Sequence, residues 1–325
     1  MKPFHLKVLL VAAGIAFSST GVAADDYPSR PIKLVVGFPA GGPSDIVGRL
    51  IGQHLAQEVG QPVVIENHGG AGGVLGAGLV ARSKADGYTI LVSVESSQTR
   101  GVALRGTLPY DQVSDFTFIR KSAKQRVLLV VNPSLPVSTV GELIDYLKTY
   151  PEKLNAGGTL GASSHIGPTL FDMLNGTKMT FINYSGGSQP ITDLLAGVVQ
   201  VGFFTEATVA QYIKTEKLKA LAVAASERSP AFPQLPTIEE GGGKSMDISP
   251  WFGIVGPAGL PPAVVNKLGA ALDKIGENTQ FLSKLEIMGA VPVRGSSSEK
   301  FKREVEEEIP FWTKWAAEIK LPVAR

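Results

Sequence analysis

IKLVVGFPAGGPSDIVGRLIGQHL, residues 32 to 55, decides how the chain is read. An apolar run, IKLVVGF, reads as a strand. FPAGGPSD, residues 38 to 45, supplies two glycines, two prolines, a serine and an aspartate, which is turn chemistry. DIVGRLIGQHLAQEV (45 to 59) then places Ile46, Leu50, Ile51 and Leu55 on one helical face. Strand, tight turn and helix make the first half of a βαβ unit. The helix start carries unpaired N–H groups and the positive end of the dipole, so the turn is a candidate anion site.

The same grammar recurs along the chain. PVVIEN and TILVSV (89 to 94) read as strands, and GGAGGVLGAGLVARSK reads as a helix of small residues packed close to a neighbour. A second series begins at RVLLVVNP (126 to 133). VSTVGELIDYLKTYP follows as a helix, with Ser138 or Thr139 as its N-cap. KLNAGG, MTFINY (179 to 184), VQVGFF and KALAVAA (219 to 225) are strands, and IGPTLFDML and ITDLLAGVV are helices. The alternation predicts an α/β fold with mostly parallel sheets and helices on both faces. Two lobes are expected, residues 25–124 plus 250–325 and residues 125–249, with the chain crossing near 122–126 and 247–252. The last part carries Pro250, Pro257, Pro261 and Pro262, then an amphipathic helix from Ala263. SEKFKREVEEEIPFWTKWAAEIK is a second long helix that Pro310 is expected to break or kink.

Composition narrows the class. Residues 1 to 24 have the form of a cleaved secretory signal: Lys2 and Lys7, the apolar run VLLVAAGIAF, and the small residues Val22-Ala23-Ala24. The run is shorter than the ~20 residues that span a bilayer. The two leader lysines account for the difference between 31 basic and 29 acidic residues. The remaining chain is formally neutral and has no basic footprint for nucleic acid or an anionic membrane. There are no cysteines, which excludes disulfides, thiolate catalysis and Cys-based zinc sites.

Three loops of glycine and hydroxyl residues follow strands and open helices: FPAGGPSD, GGTLGASSH and YSGGSQP. Ser44, Ser163, Ser164 and Ser188 can cap those helices or donate to a ligand. Ligands of open α/β sheets bind beyond the carboxyl ends of the strands, where such loops lie. Asp45 argues for a carboxylate over a phosphate, because an acid at the helix start opposes a dianion. Enzyme motifs come close and fail. Gly243-Lys244-Ser245 imitates a P-loop, but Ile238 stands where the first glycine is needed. Gly76-Ala77-Gly78-Leu79-Val80-Ala81 matches a dinucleotide fingerprint, but the preceding strand ends near Asn67, too far back. Ser163-Ser164-His165 lacks a nucleophile elbow. His54, His68 and His165 show no metal-ligand spacing, so neither a metal nor a cofactor is expected. His165 reads as a ligand donor or a loop-capping residue.

With these residues in view, the stretch from YPSRPIKLVVGFPAGGPSD to IENHGGAGGVLGA resembles the opening of substrate-binding receptors of tripartite tricarboxylate transporters, the Bug family. The likeness continues through ADGYTILV, LPYDQVSDFTFI, GASSHIG, INYSGGSQPITDLLAG and WFGIVGPAGLPPAVVNKL. It implies a two-lobed periplasmic binding protein of type II, a Venus flytrap, that closes on a small carboxylate and hands it to membrane subunits. It further implies that Phe38, Ala40, Gly41, Gly42, Ser44 and Asp45 hold a ligand carboxylate together with Ala162, Ser163, Ser164 and His165. Tyr184 and Thr205 should face the cleft, with Ser93, Ser96 and Gln98 at its far end.

Departures from the family pattern bear on specificity. His68-Gly69 replaces a frequent Arg-Pro, and Thr205 replaces a frequent aspartate, which disfavours ligands with an amino group. Arg100 and Arg120 are candidates for a second carboxylate, and Glu95 should point away or pair with Arg100. The expected function is a non-catalytic, monomeric receptor for a di- or tricarboxylate or an aromatic acid of the phthalate type. A sensor feeding a two-component system and an exported α/β hydrolase are the alternatives.

Overall fold

The computed structural model describes residues 27–184 and 189–319. The expected signal segment and Ser188 lie outside them. Eleven strands among these residues form two sheets. The first sheet contains β1 (Ile32–Val36), β2 (Val63–Asn67), β3 (Thr89–Val94), β4 (Phe116–Gln125), β10 (Trp251–Pro257) and β11 (Ala290–Pro292), in the order β11-β4-β10-β3-β1-β2. The second contains β5 (Val127–Val131), β6 (Asn155–Gly158), β7 (Thr180–Asn183), β8 (Val201–Thr205) and β9 (Lys219–Val223), in the order β7-β6-β8-β5-β9. The helices are α1 (Pro43–Val59), α2 (Val74–Ala81), α3 (Glu95–Gln98), α4 (Gly101–Arg105), α5 (Val140–Thr149), α6 (Ser163–Asn175), α7 (Gln189–Leu195), α8 (Glu206–Lys214), α9 (Pro262–Ile275), α10 (Thr279–Ile287) and α11 (Ser298–Glu318).

The sheets are mixed, not mostly parallel. β1 pairs parallel with β2 and β3, but β10 runs antiparallel to β3 and β4. In the second sheet β5 runs antiparallel to β8 and β9. The cause is the crossing. β4 ends at Gln125 and β5 starts at Val127, so the chain enters the second sheet from the interlobe edge. It must then run against strands whose carboxyl ends face that edge. β10 re-enters the first sheet in the same way.

Local sequence explains the elements next to the gap. Pro43 opens α1, where its missing N–H costs nothing, and Gly60 closes it in the left-handed conformation. Val47, Leu50, Ile51 and Leu55 are its buried stripe, whereas Ile46 is 45% exposed and belongs to the outer face. Thr139 is the N-cap of α5, accepting from the Glu142 N–H at 3.1 Å. The GAGLVA segment is helical and packs against the β1–α1 loop. A Cβ on Gly76 would come within 2.8 Å of the Gly37 Cα. Small residues serve backbone approach there, as the strand-free context of the dinucleotide-like motif implies.

α11 runs through Pro310 without a break. Both of its halves are anchored. Phe301 and Val305 join the core between the first sheet and α2. Trp312 and Trp315 join the core of the second sheet with α5 and α6. Packing on both sides outweighs the lost hydrogen bond and the ring clash that proline introduces. Pro310→Ala should therefore raise the unfolding free energy by about 1–3 kcal/mol, restoring one ladder bond. Urea denaturation measures this, and a loss of stability would show that the ring makes contacts the fold needs.

Candidate functional site

The loop after β1 and the loop after β6 both leave their sheets at the interlobe edge, and each opens a long helix, α1 or α6. The first N–H groups of those helices have no intrahelical acceptor. Each loop is held by side chains at the start of its own helix, and the first also by Asn67 of β2.

In the first loop, Asp45 is the fastener. Its carboxylate accepts from the Gly41 N–H at 2.8 Å, Arg49 Nε at 2.9 Å and Asn67 Nδ2 at 2.9 Å. Asn67 also donates to the Phe38 carbonyl at 2.9 Å. Gly41 sits at φ +85°, a region costly for residues with a Cβ. Asp45 is buried, and the Arg49 bond holds its pKa down at about 2. Its charge is thus neutralised inside the loop, so the expectation that it would oppose a dianion is revised. Ser44 is buried, whereas Ala40 and Gly41 are exposed and Phe38 and Gly42 are half-buried.

In the second loop, Ser164 Oγ accepts from the Thr159 N–H at 3.1 Å. His165 Nδ1 accepts from the Gly161 N–H at 3.3 Å. His165 is buried against the rings of Phe181 and Trp315, 4.6 and 5.8 Å away between centroids. Burial drives its pKa down to about 4, so it is neutral at pH 7. His165 is a loop cap, with Nδ1 unprotonated to accept. Ala162 is exposed and Ser163 half-buried at the turn. A Cβ on Gly161 would lie 3.6 Å from Leu104 of α4, so this loop meets the other lobe.

The remaining expected residues divide. Tyr184 follows β7 at the same edge, and its hydroxyl donates to Asp193 at 2.7 Å. Burial and then the Asp193 carboxylate raise its pKa to about 12. Thr205 ends β8 with its hydroxyl 2.6 Å from that of Thr208. Ser96 is half-buried and donates to the Gly72 carbonyl. Ser93 and Gln98 do not reach the gap. Both are fully buried, bonded to each other at 2.9 Å, and Gln98 is locked to the Gln112 carbonyl. Their side chains are spent on holding α3 to β3. Arg120 is also elsewhere: it pairs with Asp273 of α9 at 2.9 and 3.0 Å. Arg100 is buried on the face of Trp312, 4.3 Å from the ring centroid, with Glu95 at 3.5 Å. Glu95 also accepts from the Trp251 N–H, as its pairing required.

Arg49 and Asn67 were not singled out in the sequence. An acid at position i facing an arginine at i+4 was the available signal for Arg49. Nothing local marks Asn67, because it acts from the next strand. Glu206, beside Thr205, is a buried carboxylate whose Oε2 has no partner among the described residues. No group of acids or histidines that could hold a metal occurs among the described residues. Nor is any helix there long and apolar enough to cross a membrane.

The family described as "Tripartite tricarboxylate transporter family receptor" matches residues 47–321. The chain belongs to this receptor family. Protein BugT of Bordetella pertussis is 34% identical over 310 residues, covering 94% of this chain and 95% of BugT. Two solved structures from Rhodopseudomonas palustris are also similar. One, with adipate, is 33% identical with a TM-score of 0.74, covering 90% of this chain and 98% of its own. The other, MatC with bound malate, is 31% identical with a TM-score of 0.71, covering 89% and 100%. The chain is therefore a solute receptor and not an enzyme, in agreement with the failed enzyme motifs.

Acid should loosen both loops in separate windows. Asp45 has a pKa below its ordinary 3.8, so its contribution is full above that value and fades as pH falls to about 2. His165 lies below its ordinary 6.5, so its contribution fades as pH falls from 6.5 towards 4. The stability gap between wild type and Asp45→Asn should be constant from pH 5 to 8 and close below about pH 4. Thermal melts across pH measure it, and a gap that persists at pH 2 would remove the Asp45 fastener.

Proposed function

We propose that this receptor works in the periplasm, closing two lobes on a small dicarboxylate and delivering it to a tripartite tricarboxylate-type membrane transporter. The observation that carries the reading is the pair of pre-fastened loops, Phe38–Asp45 and Gly161–His165, opening α1 and α6 at the edge the two sheets share. Their helix starts offer N–H donors and positive dipole ends to one carboxylate from both lobes. In this reading the first lobe holds residues 27–124 and 250–309, and the second holds residues 125–249 and carries the second half of α11, whose Trp312 and Trp315 lie in its core. The ligand favours closure by the bonds it makes only when both loops reach it.

Phe38, Ala40, Gly41, Gly42 and Ser44 line the first wall in this reading, and Ala162, Ser163 and Ser164 the second. Asp45 and His165 position those walls from behind. Tyr184, Thr205 and Ser96 border the remaining space. The adipate- and malate-bound relatives support a straight-chain dicarboxylate of four to six carbons. Thr205 supplies a hydroxyl, so a plain dicarboxylate should bind more tightly than its 2-amino analogue. The buried Glu206 beside it makes that comparison a real test.

A thermal-shift panel should show stabilisation by malate, succinate or adipate exceeding that by aspartate or glutamate. The reading is refuted if no carboxylate in the panel stabilises the protein. A preference for the amino acids would instead assign Glu206 to the cleft. Ser164→Ala should weaken the best ligand by about 1–3 kcal/mol, because the Thr159 N–H is left unpaired and the second loop loses its shape. Calorimetric titration measures this, and unchanged affinity would remove the second loop from the site.

A further inference from the structure

Two helix starts can grip one carboxylate, and the other end of a dicarboxylate needs a donor of its own. A charged donor serves it best. The arginines already placed are committed elsewhere. Arg49 holds Asp45 at 2.9 Å, Arg100 is buried against Glu95 and Trp312, and Arg120 is bound to Asp273.

Arg105 is different. It ends α4 and is half-buried. Its guanidinium makes no hydrogen bond or ion pair among the described residues, and Nη1 is shut off from solvent. The titratable group that feels its charge is the Tyr110 phenol, which burial keeps protonated and which donates to the Ser97 carbonyl at 2.7 Å. No carboxylate among the described residues neutralises Arg105. An arginine stays charged in a protein and presents its donors in a fixed fork.

Glycine keeps this cation uncovered. A Cβ on Gly72 would come within 2.5 Å of Arg105 Nη2, so any other residue there would press on the guanidinium. The turn at Ala71–Gly73 is also tied to the candidate site. Ser96 Oγ donates to the Gly72 carbonyl at 2.9 Å. A Cβ on Gly73 would lie 3.1 Å from the ring of Phe38, which begins the loop that opens α1. Leu104, the residue before Arg105, meets Gly161 of the loop that opens α6. One unpaired cation thus lies next to contacts with both glycine loops.

The acids around those loops do not compete for it. Asp45 is held by Arg49, the Gly41 N–H and Asn67. Glu95 pairs with Arg100. Asp193 accepts from Tyr184 and Gln189 at 2.7 and 2.8 Å. Glu206 is buried in the other lobe.

We propose that Arg105 determines specificity by receiving the second carboxylate of the ligand, while the glycine loops hold the first. This rests on the carboxylate cleft of the proposed function and deepens it. The receptor then selects dicarboxylates over monocarboxylates of the same length.

The test is calorimetric titration of succinate and adipate, each against its half-amide, succinamate or adipamate. The half-amide keeps the length and removes one charge. Wild type should bind the better dicarboxylate at least about tenfold more tightly than its half-amide. In Arg105→Gln that ratio should fall close to one. Arg105→Lys, a milder change, should keep a reduced ratio, because it retains the charge and loses the fork. A wild-type ratio near one would overturn the proposal, as would a ratio that both variants leave intact. So would an equal loss for both ligands, because a guanidinium that only steadies the end of α4 serves them alike. If wild type binds none of the four acids, the carboxylate cleft itself fails and Arg105 with it. If wild type binds them and the variants keep the ratio, the cleft stands and only the role of Arg105 fails.

Discussion

The chain crosses between its sheets at Gln125–Arg126–Val127 and returns before Trp251, and these crossings constrain everything else. A strand that enters a sheet from the interlobe edge must run against its neighbours. β5 and β10 do so, and the strands flanking them end at that edge. The carboxyl ends of β1, β3, β6 and β8 are thereby aimed at one gap, together with the helix starts that follow β1 and β6. The shared direction of these helix starts is a result of the crossing as much as of the loop residues.

Sequence alone reveals the units with strong local periodicity. β1, β3, α1, α5 and α6 stand out because burial imposes regular spacing on their apolar residues. Reversal of β5 and β10 is a long-range property and leaves no local mark. β4 is harder to see, because FTFIRKSAKQ alternates correctly but carries Arg120, Lys121 and Lys124, whose charges are satisfied by α9, α11 and Glu227. WFGIVGP is fully buried yet lies among prolines that suggest a linker. Pro310 misleads because the rule for an isolated helix omits tertiary anchoring on both sides of it.

The candidate site was legible in its residue types more than in their duties. FPAGGPSD and GASSH both lie at the interlobe edge, as the strand–turn–helix pattern implies. Asp45 and His165 turn out to serve the backbone of their own loops. Short polar side chains near a helix start face that choice, and only partners such as Asn67 from another strand decide it. Ser93 and Gln98 illustrate the same limit, since a polar pair after a strand looks identical in sequence whether it meets a ligand or itself.

α11 has one further property. Its first half is embedded in one core through Phe301 and Val305, and its second half in the other through Trp312 and Trp315. Between them lies Pro310, where the helical ladder lacks a bond. Such a helix is a leaf spring clamped at both ends and thinned in the middle. Any rotation of one core against the other would have to be absorbed along this helix, most readily at the position that lacks a ladder bond.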